Sequence, residues 1–174
     1  MQSKKIALLG MMCALAAVIM MMGGLIPLAT FCCPLLAGLT LIPVFVECGE
    51  KLSWGAYIAI SLLSLLLCPD KEAALLFACL GYYPVLRWRL DQIRSGLLRM
   101  AAKLAVFNIA VLIAYLIGIF LFQMTAVLEE YRALGLAMTL FTLALGNVTL
   151  LAYDVLLKRF TAIYVVKFRN KLMK

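Results

Sequence analysis

Polar residues along this chain fall in short clusters, and between them apolar residues run almost unbroken. Six apolar segments result, over 6–28, 34–46, 53–68, 73–86, 103–124 and 134–157. The first, fifth and sixth are long enough to cross a bilayer core of roughly 30 Å as helices. The other three hold only about 13 to 16 residues, below the usual 17 to 25. Segments this short must sit in thinned bilayer, extend into interfacial residues or pack among longer neighbours. Pro27, Pro34 and Pro43 around the second segment predict irregular backbone there, covered by the rest of the bundle. The pattern predicts an all-α integral membrane protein, one domain over residues 1–174 with six transmembrane helices.

Composition supports lipid as the solvent. The chain is 67% hydrophobic and 14% charged, with a mean hydropathy of +1.10, against about a quarter charged in an average soluble domain. Its start, MQSKKIALLGMMCALA, imitates a secretory signal with Ala14-Leu15-Ala16 as a cleavage site. The apolar run continues to Leu28, however, so a retained helix is expected. Net charge is +8, and its distribution tests the threading. With both termini cytoplasmic, fourteen of the 16 basic residues fall on the inner side, and only Lys71 and Arg132 fall outside. Such asymmetry obeys the positive-inside rule and predicts a multi-pass protein of the cell membrane, with no nucleic-acid partner.

Two polar stretches interrupt the pattern. LLCPDKEAALLF (66–77) reads as an outer turn, with Pro69 ending one helix and Asp70 capping the next; a role in gating or ligand contact is the alternative. RWRLDQIRSGLLRMAAK (87–103) places Leu90, Ile93, Leu97, Leu98 and Ala101 on one stripe. It predicts a basic helix at the membrane surface, near 87–102, that anchors to anionic lipid or docks a partner. The tail 158–174 repeats the basic and aromatic theme.

Signs of chemistry are few. The six cysteines show no metal spacing, and there is no histidine, so Ser-His catalysis and the usual zinc sites are excluded. Glu129-Glu130-Tyr131-Arg132 resembles the paired glutamates of intramembrane CAAX-type proteases, but with the wrong Arg spacing and without their histidines. No enzyme and no cofactor is expected. A disulfide between Cys32 or Cys33 and Cys68 rests on position alone.

Polar residues inside spans are costly and face the bundle or a cavity. Gly135, Thr139, Thr142, Gly146, Thr149 and Tyr153 recur at spacings of four and three. This stripe serves close packing, or its outer half lines a pocket. Asn108, Asn147 and Asp154 lie at similar inner depth and predict a hydrogen-bond network; Tyr115 lies seven residues from Asn108. At the outer mouth Gln123, Glu129, Glu130, Tyr131 and Arg132 form an acidic loop or meet a ligand. Gly10 with Ala14, and Cys13 with Ala17, are small-xxx-small pairs that let a partner helix approach.

Six short helices in 174 residues, the Gly10/Ala14 pair and the GGLIPLATFCCP connection (23–34) together resemble the substrate-binding S components of energy-coupling factor (ECF) transporters. The resemblance implies a fold that binds a vitamin-like small molecule and works with a membrane coupling subunit and two cytoplasmic ATPases. It implies partner contact at Gly10, Ala14 and Ala17. It also implies a substrate pocket drawing on Gln123, Glu129, Thr139, Thr142 and Asn147, beneath a lid around Ala29 to Cys33. No GxxxxGK[ST] loop is present, so ATP energy would come from the partners. The alternative is a membrane scaffold of the rod-shape-determining type, which docks envelope proteins and binds no ligand. A self-contained carrier would need carboxylates at mid-depth, and Asp154 lies too near the inner end.

Overall fold

A computed structural model describes residues 2–23, 29–122 and 125–168, with side chains for all of these except 2, 29, 115, 118–122, 125–137, 139 and 168. Every element among the described residues is helical. They are α1 (Gln2–Gly23), α2 (Ala29–Leu39), α3 (Leu41–Cys48), α4 (Glu50–Leu67), α5 (Lys71–Leu80), α6 (Tyr83–Leu90), α7 (Gly96–Phe122) and α8 (Thr125–Ile163), the last running into a π-helical turn at Tyr164–Phe168. Among the described residues, five stretches are long and apolar enough to cross a membrane: Ser3–Gly23, Thr30–Cys48, Glu50–Leu67, Gly96–Ala114 and Leu140–Lys167. The protein is an all-α membrane protein.

Proline explains where the shorter segments break. Pro43 in the first turn of α3 has no N–H for the carbonyl of Leu39, and its ring disfavours a continuous helix. The chain turns at Thr40, whose hydroxyl bonds the Ala37 carbonyl at 2.7 Å. Pro84 does the same in the first turn of α6, after the turn at Gly81 and Tyr82. Each pair, α2 with α3 and α5 with α6, is therefore a bent rod, and α5 and α6 hold only 10 and 8 residues. Between α3 and α4 a single residue, Gly49, reverses the chain at φ 86°, a conformation that strongly favours glycine.

Three departures from the sequence reading have physical causes. No separate surface helix forms over 87–102. Arg87 to Leu90 finish α6, residues 91–95 turn, and Gly96 onward belongs to α7, which starts seven residues before the predicted fifth segment. The stripe is thereby divided: Leu90 and Ile93, in α6 and the turn, are half-buried, while Leu97 and Leu98 of α7 stay 86% and 63% exposed. The acidic loop expected near 129–132 is backbone of α8 instead; VLEEYRAL contains no proline or glycine to stop a helix. Finally, the short third segment gains length at its polar end, because Glu50, Lys51 and Leu52 join α4.

The core lies among the first six helices. Ala16 and Met20 of α1, Ala37 of α2, Leu41 and Val44 of α3, Ala56 and Ile60 of α4, Phe77 of α5 and Val85 of α6 form one buried cluster. The last two helices join by smaller contacts: α8 through Leu150, Tyr153 and Leu157 against Ile42 and Tyr83, and α7 through Ala114 against Leu75 and Cys79. Gly38 makes the first possible, since a Cβ there would lie 2.5 Å from the Tyr153 hydroxyl. That hydroxyl donates to the Leu35 carbonyl at 3.0 Å.

Candidate functional site

Cross-chain bonds define two ends of the bundle. At one, Cys48 meets the Lys5 carbonyl at 3.5 Å and Arg89 pairs with Glu50 at 2.6 Å. At the other, the Cys68 thiol donates to the Met20 carbonyl at 3.1 Å and the Thr30 hydroxyl to Asp70 at 2.8 Å. Cys32, Cys33 and Cys68 are all free thiols.

The first end holds a buried charged network around Asp154 of α8. Lys103 of α7 donates to both Asp154 oxygens at 3.0 Å and to Asp91 at 2.6 Å, which uses all three of its N–H donors. The Tyr83 hydroxyl of α6 donates to Asp154 Oδ1 at 3.1 Å, and Lys158, one turn along α8, stands 3.2 Å from Oδ2. Arg87 Nε lies 3.0 Å from Asp154 and 3.2 Å from Asp91, but its N–H is aligned with neither. Its contribution is charge proximity rather than a hydrogen bond. Lys103 is 4% and Asp154 7% exposed, so each depends on the other to remain charged out of water. The network ties α6, α7 and α8 into one unit.

The three-residue inner network expected from sequence divides in two. Asn108 and Asn147 exchange amide hydrogen bonds at 3.1 and 3.4 Å between α7 and α8. Asp154 is not part of that pair; seven residues on, roughly 10 Å along the helix, it joins the cations. Lys103, Arg87, Asp91 and Tyr83 escaped the sequence reading as its partners. The available signal was an aspartate inside an apolar segment, which requires a cation at equal depth, and Lys103 opens the neighbouring segment.

Of the five predicted substrate residues, the structure describes the side chains of Thr142 and Asn147. Thr142 is exposed and its hydroxyl donates to its own helix at Met138, 2.9 Å away; Thr149 does the same toward Leu145 at 2.9 Å. Asn147 is committed to Asn108 and to the Leu143 carbonyl. Gln123 lies outside the described residues. Glu129 and Thr139 belong to the backbone of α8, but their side chains lie outside the described set, as does that of Tyr115. Residues 24–28 of the GGLIPLATFCCP connection are outside it too. Ala29 to Cys33 form the opening turns of α2, pinned by Thr30 to Asp70. From the stripe, Gly146 packs 3.5 Å from the Phe107 ring and Tyr153 is buried, as close packing requires.

The three expected partner-contact residues share a sector of α1. Gly10 and Ala14 are exposed and Ala17 is half-buried, while Ala16 and Met20 face the core. Nothing lies within 4 Å of a Cβ placed on Gly10. Ile6, Met11 and Val18 flank it, 64%, 53% and 54% exposed. Elsewhere a cleft of about 390 Å³ runs between α4, α5 and α7, lined by Leu65, Leu75, Cys79, Tyr82, Ala110 and Ile113 among others. No protein-family model matches the chain, and no curated protein or solved structure is significantly similar to it.

Proposed function

We propose that the protein is the membrane-embedded, non-catalytic substrate-binding subunit of an ATP-driven uptake transporter, docking a coupling subunit through α1. One observation carries this reading. The side of α1 holding Gly10 and Ala14 is open, apolar and free of bulky side chains at its centre, whereas the opposite side supplies the core. Small residues let a second helix approach closely enough for backbone and side-chain van der Waals contact, the main source of helix association in lipid. The charged network at the other flank would make α6, α7 and α8 move together, as a bundle tipped by its partners must. The ligand is a vitamin-like small molecule, and the location is the cell membrane.

The scaffold reading is favoured by a different observation. Thr142 and Asn147, two of the residues expected to meet substrate, spend their hydrogen bonds within the bundle. A scaffold would use the same α1 surface to dock envelope proteins and would need no pocket. Purification of the tagged protein from its own host in mild detergent separates the two. A coupling subunit with two ATPases in the eluate is the expected result. Envelope-synthesis or division proteins without any ATPase would replace the transporter reading by the scaffold.

A further inference from the structure

We propose that the cleft between α4, α5 and α7 holds one acyl chain of an anionic phospholipid whose head group is bound by Lys71. The argument begins with Pro69. A helix ending at Leu67 would have the carbonyl of Leu65 accept from residue 69, but proline has no N–H. The Lys71 ammonium takes that place, donating to the Leu65 carbonyl at 2.9 Å. Leu65 also lines the cleft, so the same bond sets a positive charge at the rim of an apolar groove. An ammonium has three donors, and no carboxylate among the described residues pairs with Lys71. Asp70 beside it is engaged by Thr30 and by the amides of Glu72 and Ala73.

The groove itself selects the rest of the ligand. α5 packs against both α4 and α7 and forms the floor. Apart from the Cys79 thiol and Tyr82, the lining is aliphatic: Leu65, Leu75, Ala78, Ala110, Ile113 and Ile117. A polar solute would find almost no hydrogen-bond partners there, and water does not favour apolar cavities. From Ala110 to Ile117 the groove follows α7 for roughly 10 Å, the direction in which a chain descends from a head group at the bundle end. Lys71 lies at that end, next to Leu65 near the close of α4. Cation at the rim and apolar trough below match an anionic head on a hydrocarbon chain.

The test uses the full-length protein, delipidated in detergent, with phosphatidylglycerol or phosphatidylcholine of identical chains added and bound lipid counted by native mass spectrometry. One phosphatidylglycerol should be retained about five-fold more strongly than phosphatidylcholine, the size of a single partly solvated charge pair. Lys71→Gln keeps a donor for Leu65 but loses the charge, and should abolish the preference without abolishing chain binding. Ala78→Phe should fill the groove and displace both lipids. Ile113→Trp, at a half-exposed wall position, does the same should the first variant fold poorly. Maleimide labelling of Cys79 should slow when phosphatidylglycerol is present. Equal retention of the two lipids, indifference to Lys71→Gln, or retention in both groove-filling variants would each overturn the proposal. So would stronger retention of palmitate than of phosphatidylglycerol, or a partner protein crosslinked at Cys79.

Discussion

The two ends of the bundle are fastened by opposite means. One end is held by charge: Asp154 and Asp91 sit among Lys103, Arg87 and Lys158, with Tyr83 completing the set. The other is held by neutral and capping bonds, Thr30 to Asp70, Cys68 to the Met20 carbonyl, and Asp70 to the first amides of α5. Breaking a buried charge cluster leaves an unpaired ion, while breaking a cap leaves a group that water can reach. The two ends should therefore differ in how they fail. The charged end should fail sharply and by network, the capped end mildly and residue by residue.

The largest effect is expected at the hub. Asp154→Ala takes from buried Lys103 two of its three hydrogen bonds and leaves it with Asp91 alone; breaking a buried charge pair in this way costs up to about 3–5 kcal/mol, and a large drop in the detergent melting temperature, or loss of folded protein, checks it. Adding Lys103→Met to that variant should restore part of the loss, since no under-bonded ammonium is then left buried and Asp91 keeps Arg87 beside it. A double variant as unstable as the single one would show that the network is not acting through charge. Next comes Asp70→Ala, which removes an N-cap and the Thr30 bond together and should cost about 1–2 kcal/mol, read by the same melting experiment. Thr30→Val isolates the smaller share. Asn108→Leu, breaking the amide pair between α7 and α8, should cost less again, about 0.6 kcal/mol for an interhelical hydrogen bond in a membrane protein. Thr142→Val should leave stability and monomer yield unchanged, because its hydroxyl bonds only its own helix.

The same contrast separates what the sequence reveals from what it hides. The Asp70 cap was legible, since Pro-Asp before an apolar helix has a local meaning, and the structure gives it the expected bonds to Glu72 and Ala73. The all-helical membrane class was legible from run length and composition. The partnership of Asp154 with Lys103 was not, because 51 residues separate them and helical depth alone does not fix which faces meet. Depth suggested Asn108 and Asn147 as partners of Asp154, and the roughly 10 Å of α8 between Asn147 and Asp154 separated them. The stretch 87–103 misled for a related reason. Its apolar stripe was read as a surface helix, but a periodic stripe is equally the first turns of a long one, and the turn at 91–95 carries no proline to announce the break. Its Ser95-Gly96 pair was the weaker signal available.

The proposed transporter role rests on α1 docking a coupling partner through Gly10 and Ala14. The most direct measurement compares proteins co-purified with the wild type, with Gly10→Phe, with Ala14→Phe, and with Ile58→Phe on the exposed side of α4. A coupling subunit and two ATPases should accompany the wild type and the Ile58 variant and be lost from both α1 variants, with all four proteins equally folded. The same ATPases retained when Gly10 or Ala14 is enlarged, or none recovered with the wild type, would contradict it.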